Sequence, residues 1–193
     1  MIAANLNRKQ HFYTLEEYFA LEKVGDARYE YWDGEIFCMS GGSKEHYRLS
    51  GNIYYLLRRA VEKKGCETFN EGSPIKTPKL PPYRYPDASV VCGESRFEKD
   101  HGIDALVNPL LIVEVLSPTT ETADKEDKRI AYQAIESLEE YLLIAQDKVE
   151  VTRYARRGDL WFRDILTDLS ASLELSSLSH TITLAELYRG VFQ

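Results

Sequence analysis

The run Leu111-Ile112-Val113-Glu114-Val115-Leu116 constrains the chain more than any other feature. Its aliphatic, largely β-branched residues demand a strand. Glu114 stands inside that run, and an unpaired carboxylate is expensive to bury. A second such run, Ala88-Ser89-Val90-Val91-Cys92, follows Tyr85-Pro86-Asp87 and puts Asp87 at its mouth. Two acids held this way suggest a shared task, and the commonest is holding a hard divalent cation.

The chain's 193 residues suffice for one domain with a full core, and the expected domain is 1–193. Hydrophobic residues at 44% and charged residues at 28% fit a soluble globular protein. No apolar run approaches the ~20 residues needed to span a bilayer. Met1 to Gln10 lack the apolar core of a signal peptide, which leads to the expectation of a cytoplasmic protein. The three cysteines, Cys38, Cys66 and Cys92, are odd in number and widely spaced, so they are expected as small buried hydrophobes without a disulfide. The net charge of −7 counts against a broad, non-specific nucleic-acid surface. Two basic clusters, Arg58/Arg59/Lys63/Lys64 and Lys148/Arg153/Arg156/Arg157/Arg163, are expected as solvated faces.

Thr14-Leu15-Glu16-Glu17 has the form of a capping box opening a short helix. Asp33-Gly34 between apolar runs predicts a hairpin of Arg28–Trp32 with Glu35–Met39. Ser43 is a plausible N-cap for a helix from Lys44 to about Lys64, with Leu49, Ile53, Leu56, Leu57, Ala60 and Val61 as its apolar stripe and Gly65 as its stop. Strands are expected near Cys66–Asn70 and Ser73–Thr77, and Gly93 to Asn108 is expected as a surface loop. After the Glu114 strand and the Ser117-Pro118 break come a helix near Ala123–Ile135, strands at Glu140–Ala145, Lys148–Tyr154 and Leu160–Ile165, and a last helix capped by Thr183 with Glu186. The order predicts an α/β or α+β fold, a mixed sheet with a helix on each face and an N-terminal β-hairpin.

If the two acid-bearing strands are neighbours, Asp87 and Glu114 converge at one sheet end. With a backbone carbonyl, that of Val115, and waters, they would make a Mg²⁺ or Mn²⁺ site. Such a site needs a cation beside a reacting phosphate, and Lys128, with Tyr132 at i+4, is the candidate. Each residue has a structural alternative: Asp87 capping a turn, Glu114 pairing with a buried arginine, Lys128 pairing with Asp124 on the helix surface.

Tyr85-Pro86-Asp87 followed by Ile112-Val113-Glu114-Val115-Leu116-Ser117-Pro118 resembles the PD-(D/E)XK nuclease superfamily. More narrowly, the chain is similar to the Uma-type family of bacterial restriction endonucleases. Tyr29-Glu30-Tyr31-Trp32-Asp33-Gly34-Glu35, Gly41-Gly42-Ser43 with His46, Asn108-Pro109, Lys128 with Tyr132, and Ser137-Leu138-Glu139-Glu140-Tyr141 carry the likeness, over about Tyr13 to Trp161. The resemblance implies a restriction-endonuclease-like core and a metal-dependent phosphodiesterase site, with DNA the first expected substrate. It also shows a departure: the superfamily's motif lysine lies two residues after the acid, where this chain has Leu116. The Uma-type pattern has its lysine on the next helix, matching Lys128. The family pattern also has an acid at Glu30, which is either a further carboxylate of the site or a cross-strand partner for an arginine such as Arg28. His46 either orients a water or phosphate or packs as a helix-start residue against the sheet. Glu45 is a weaker candidate for the acid that the superfamily often takes from its first core helix.

Two readings of different kinds follow. One is a Mg²⁺-dependent endonuclease, with a homodimer suited to cutting both strands of a duplex. The other is a catalytically silent nuclease fold used for binding or assembly. A serine hydrolase is disfavoured, because the chain has no Gly-x-Ser-x-Gly elbow.

Overall fold

The structure, a computed structural model, describes residues 12–24, 29–32, 34–38, 42–79, 83–116 and 123–192. The chain forms two compact units, Met1–Ser40 and Gly41–Gln193.

In the first unit, helix α1 (Leu15–Val24) precedes a hairpin of β1 (Tyr29–Trp32) and β2 (Glu35–Cys38). The capping box forms as expected: Thr14 N–H donates to Glu17 Oε2 at 2.8 Å, and Glu17 N–H donates to Thr14 Oγ1 at 3.2 Å. Gly34 has φ +85°, and a Cβ there would lie 2.8 Å from the Phe12 ring, so both backbone conformation and space require glycine. Tyr18 is fully buried and packs its ring 5.7 Å from that of Tyr31.

The second unit begins with α2 (Lys44–Val61). It continues through β3 (Cys66–Asn70), β4 (Ile75–Lys76), β5 (Tyr83–Arg84), β6 (Ala88–Cys92), β7 (Phe97–Asp100), β8 (Ile103–Leu106) and β9 (Leu111–Leu116). Then come α3 (Ala123–Gln133), β10 (Glu140–Ala145), β11 (Val151–Arg157), β12 (Leu160–Leu166), β13 (Ser172–Leu175), a 3-10 turn at Ser176–Leu178, β14 (His180–Thr183) and α4 (Leu184–Leu187). Six strands form the central sheet in the order β12-β11-β10-β9-β6-β3. Only β9 and β10 run parallel, joined by the crossover that contains α3; the other neighbours are antiparallel. The expected mixed sheet with helices on its two faces is therefore present.

Strand β9 shows why its sequence is an unbroken apolar run. Leu111, Val113 and Val115 pack with Leu49, Ile53 and Leu57 of α2, while Ile112 packs on the opposite face with Tyr132 of α3 and Tyr141. A strand covered on both faces has no solvent side for polar residues. Glu114 shares the Ile112 parity and so belongs to the α3 face. The six residues of the expected α2 stripe are all buried, and Thr183 and Glu186 close the expected capping box on α4.

Three expectations need correction. Gly93–Asn108 is not a loop throughout but carries the hairpin β7–β8, turned by His101 (φ 48°) and Gly102 (φ 90°). Positive φ at both central residues is a type I′ requirement, and His-Gly supplies it without the usual Asn-Gly or Asp-Gly signal. Cys66 and Cys92 form a disulfide, because they are register partners at the ends of antiparallel β3 and β6 with Cα atoms 4.0 Å apart. A pairing across 26 residues is set by strand register, which cysteine spacing does not reveal. Arg153 is not part of a solvated basic face: it is buried against Glu140. The expected break at Ser117-Pro118 lies outside the described residues. Among the described residues, no helix is long and apolar enough to cross a membrane.

Candidate active site

The β6–β9 ladder ends with Ala88 opposite Val113. Asp87 directly precedes Ala88 and Glu114 directly follows Val113, so both acids stand at this end of the ladder. Each carboxylate then turns to a different helix. Asp87 is 8% exposed and faces α2: Ser50 Oγ donates to its Oδ1 at 2.8 Å, and His46 Nε2 lies 2.9 Å from the same oxygen. Its Oδ2 accepts the Val115 N–H at 2.6 Å. Glu114, 7% exposed, faces α3: Tyr132 donates its hydroxyl to Oε1 at 2.8 Å, and the Lys128 ammonium lies 3.6 Å from Oε2. The Lys128 side chain is only 12% exposed.

Local sequence explains these positions. Ser43 caps α2, its Oγ accepting the His46 N–H at 3.1 Å and donating to Gln146 Oε1 at 3.1 Å. The helix start is thereby fixed against the end of β10. A Cβ on Gly42 would fall 2.9 Å from His46 Cδ2, so only glycine lets the imidazole lie against this segment. His46 and Ser50 extend the Ile53/Leu57 face of α2 to its N-terminal end, which aims both at Asp87. On α3, Lys128 and Tyr132 share one face by their i,i+4 spacing and both meet Glu114.

The electrostatics follow from this geometry. The hydrogen bond to Asp87 raises the His46 pKa, against the lowering effect of burial, and the charges of Asp87, Glu114 and Glu71 raise it further. His46 thus senses both carboxylates. Glu45 sits beside it but pairs with Lys44 at 3.7 Å; hydrogen bonding at the helix start lowers its pKa.

Of the residues anticipated from sequence, Asp87, Glu114, Lys128, His46 and Val115 therefore meet at one end of the sheet. Glu30 lies on β1 in the other unit, and its side chain is outside the described residues, as is that of Asp124, the alternative partner of Lys128. Sequence reasoning passed over Ser50 and Gln146. The signal for Ser50 was its place four residues after His46, continuing an apolar helical stripe with a polar residue; Gln146, just past an apolar strand, carried no comparable signal.

Residues 15–185 match the model of a family described as "Putative restriction endonuclease", Uma2. The chain belongs to this family. Two uncharacterized proteins of Synechocystis sp. are similar to it. One is 33% identical over 176 residues, covering 91% of each chain; the other is 34% identical over 164 residues, covering 84% of this chain and 92% of its own. A crystal structure described as a putative nuclease belonging to DUF820, from Anabaena variabilis, superposes with a TM-score of 0.69 at 18% identity, covering 91% of this chain and 97% of that one. That likeness shows the fold.

Restriction-endonuclease-like sites imply a divalent metal, and the donor chemistry here fits one. Asp87 and Glu114 contribute hard carboxylate oxygens, the donor type that a Mg²⁺- or Mn²⁺-sized cation selects. The Val115 N–H points to Asp87, and the N–H and C=O of a strand residue face the same edge, so its carbonyl opens past the ladder end as well. Among the described residues, no group of three or more His, Cys, Asp or Glu side chains has the spacing of a complete metal site.

Proposed function

We propose that this protein is a metal-dependent endonuclease that hydrolyses phosphodiester bonds of DNA. The observation that carries the reading is the convergence of Asp87 and Glu114 at the open end of one ladder, with Lys128 3.6 Å from Glu114. In it, Asp87, Glu114 and the Val115 carbonyl hold Mg²⁺ or Mn²⁺. The bound metal supplies Lewis-acid activation of a water and of the scissile phosphate. Lys128 stands on the Glu114 side and offsets negative charge gathering on the phosphate, the task of the motif lysine that Leu116 replaces. Its nearly buried position holds its amine beside the acid in one orientation. Tyr132 fixes Glu114 Oε1, and Ser50 with His46 fixes Asp87 Oδ1, so both carboxylates are held before a ligand arrives. When protonated, His46 also moderates repulsion between the two acids.

The test is cleavage of supercoiled and linear DNA by purified protein with Mg²⁺ or Mn²⁺. The reading requires cleavage that Asp87→Ala and Lys128→Met abolish while circular dichroism stays unchanged. Equal cleavage by wild type and Asp87→Ala would assign the activity to a contaminant. A second reading, a silent nuclease fold, is favoured by Leu116 and by the two donors already on Asp87 Oδ1. Calorimetry separates the two: no Mn²⁺ binding at millimolar metal supports the silent fold.

A further inference from the structure

Among the described residues, the central sheet has two open edges, β3 and β12. They differ in kind. Strand β3 has five residues, exposes the polar Glu67 and Asn70, and is tied at its first residue to β6 by the Cys66–Cys92 disulfide. Strand β12 has seven residues and exposes Leu160 at 64%, Phe162 at 43% and Ile165 at 53%. A long edge with exposed apolar residues is a template for another strand, and here the apolar residues flank a charged centre, the exposed Arg163 and Asp164.

The backbone of β12 is set for pairing. Arg156 N–H donates to Glu139 O, so the even-numbered residues of β11 bond towards β10 and the odd-numbered ones towards β12. Their partners on β12 are the even-numbered residues. Trp161, Arg163 and Ile165 consequently direct their N–H and C=O groups to the open edge.

We propose that a second copy of this chain pairs with β12 in antiparallel fashion, across a two-fold axis at Phe162. In such a pairing, opposed residues share a face, so the axis falls on a residue rather than between two. An axis at Arg163 opposes two guanidinium groups, and one at Asp164 opposes two carboxylates; both are unfavourable. An axis at Ile165 sets Phe162 against Asp168 and runs past the end of the strand. An axis at Phe162 brings the two Phe162 rings together in a close, non-hydrogen-bonded pair. It places Trp161 opposite Arg163 of the partner subunit, with Asp159 diagonal to that arginine, and repeats both contacts by symmetry. Cation–π and opposite-charge complementarity favour this register with a second copy as the occupant, and Arg156 and Arg157, which lie 5.7 and 5.0 Å over the Trp161 and Phe162 rings of their own chain, flank the contact. Leu160 meets Asp164 of the partner subunit, whose carboxylate keeps Arg153 at 3.4 Å within its own chain. The two central sheets become one continuous sheet. This inference is independent of the nuclease reading.

Sedimentation equilibrium of the full chain tests it. The expected result is a dimer whose Kd rises at least about tenfold in Phe162→Lys and in Arg163→Pro. The proline removes an N–H that the β11 ladder does not use, so circular dichroism is expected to stay that of wild type. For the register, Phe162→Cys in a Cys38→Ser background is expected to crosslink to itself under mild oxidation, and Ile165→Cys is not. A wild-type chain that is monomeric at every concentration overturns the proposal, as does a dimer indifferent to both variants. Crosslinking through Ile165→Cys in place of Phe162→Cys overturns the axis.

Discussion

Replacing Arg153 with methionine tests the largest correction that the structure makes to the sequence reading. The Arg153 side chain is 8% exposed and that of Glu140 2%, and Arg153 Nε and Nη2 donate to Glu140 Oε1 at 2.8 and 2.5 Å. Removing one member of a buried pair costs about 3–5 kcal/mol, mostly because the other charge is left behind. Here the orphan would not be bare. Glu140 keeps the N–H groups of Ser176 and Ser177 at 3.1 Å each, and the Ser177 hydroxyl. The cost of Arg153→Met is therefore expected at the low end, about 3 kcal/mol. Glu140→Leu is expected to cost more, because it leaves the Arg153 charge with the largely exposed Asp164 and the neutral Ser176 hydroxyl and leaves two N–H donors unmet, at about 1–3 kcal/mol for each that stays buried. The double variant is expected to fall short of the sum by about 2 kcal/mol, the signature of coupled residues. Urea unfolding followed by circular dichroism measures all three, with an unchanged denaturant slope required for the comparison. A loss below about 1 kcal/mol for Arg153→Met, or strictly additive single variants, would mean that the pair behaves like a surface salt bridge and would refute the reasoning.

Ser50→Ala removes the 2.8 Å hydrogen bond to Asp87 Oδ1; it is expected to weaken Mn²⁺ binding by about tenfold in calorimetry, and unchanged affinity would show that Ser50 does not orient the carboxylate. Tyr188 is 4% exposed, donates its hydroxyl to the carbonyls of Ala145 and Glu150, and has its pKa pushed up to about 12 by burial. A raised phenol pKa stabilises the fold below the ordinary value near 10 and loses that contribution as pH rises towards 12, so about 2–3 kcal/mol should vanish across this window in wild type and not in Tyr188→Phe. Parallel urea midpoints for the two proteins from pH 9 to 12 would contradict this.

Much of the fold was legible because local chemistry and tertiary packing agree. The α2 stripe, the Thr183 cap and the β9 run each state in sequence what they do in space. The Cys66–Cys92 bond and the β7–β8 hairpin were not legible, the first because strand register is a long-range property, the second because His101-Gly102 makes its turn without the customary residues. The candidate site lies between these cases. Asp87, Glu114 and Lys128 were found through residue type and placement, yet their convergence depends on β6 and β9 being neighbours, and on the α3 crossover returning over β9.

The three buried acids of the central sheet show what sequence does not reveal. Asp87, Glu114 and Glu140 each stand in or beside an apolar strand, and each is less than a tenth exposed. The difference lies in their donors. Glu140 meets a guanidinium, two backbone N–H groups and a hydroxyl, all supplied by segments that it ties together: β11 and the 3-10 turn. Its carboxylate is consumed by the fold. Asp87 and Glu114 instead stand together past the last rung of a ladder, Asp87 tied to α2 and the Val115 N–H and Glu114 tied to α3. A lone buried acid neutralised by its own arginine is structural, whereas two buried acids brought to one ladder end make a place that a cation would stabilise. Metal binding should accordingly relieve the Asp87–Glu114 repulsion and raise the melting temperature. The same metal should leave the melting temperature of Glu114→Gln nearly unmoved, and an equal rise in both proteins would place the bound ion elsewhere.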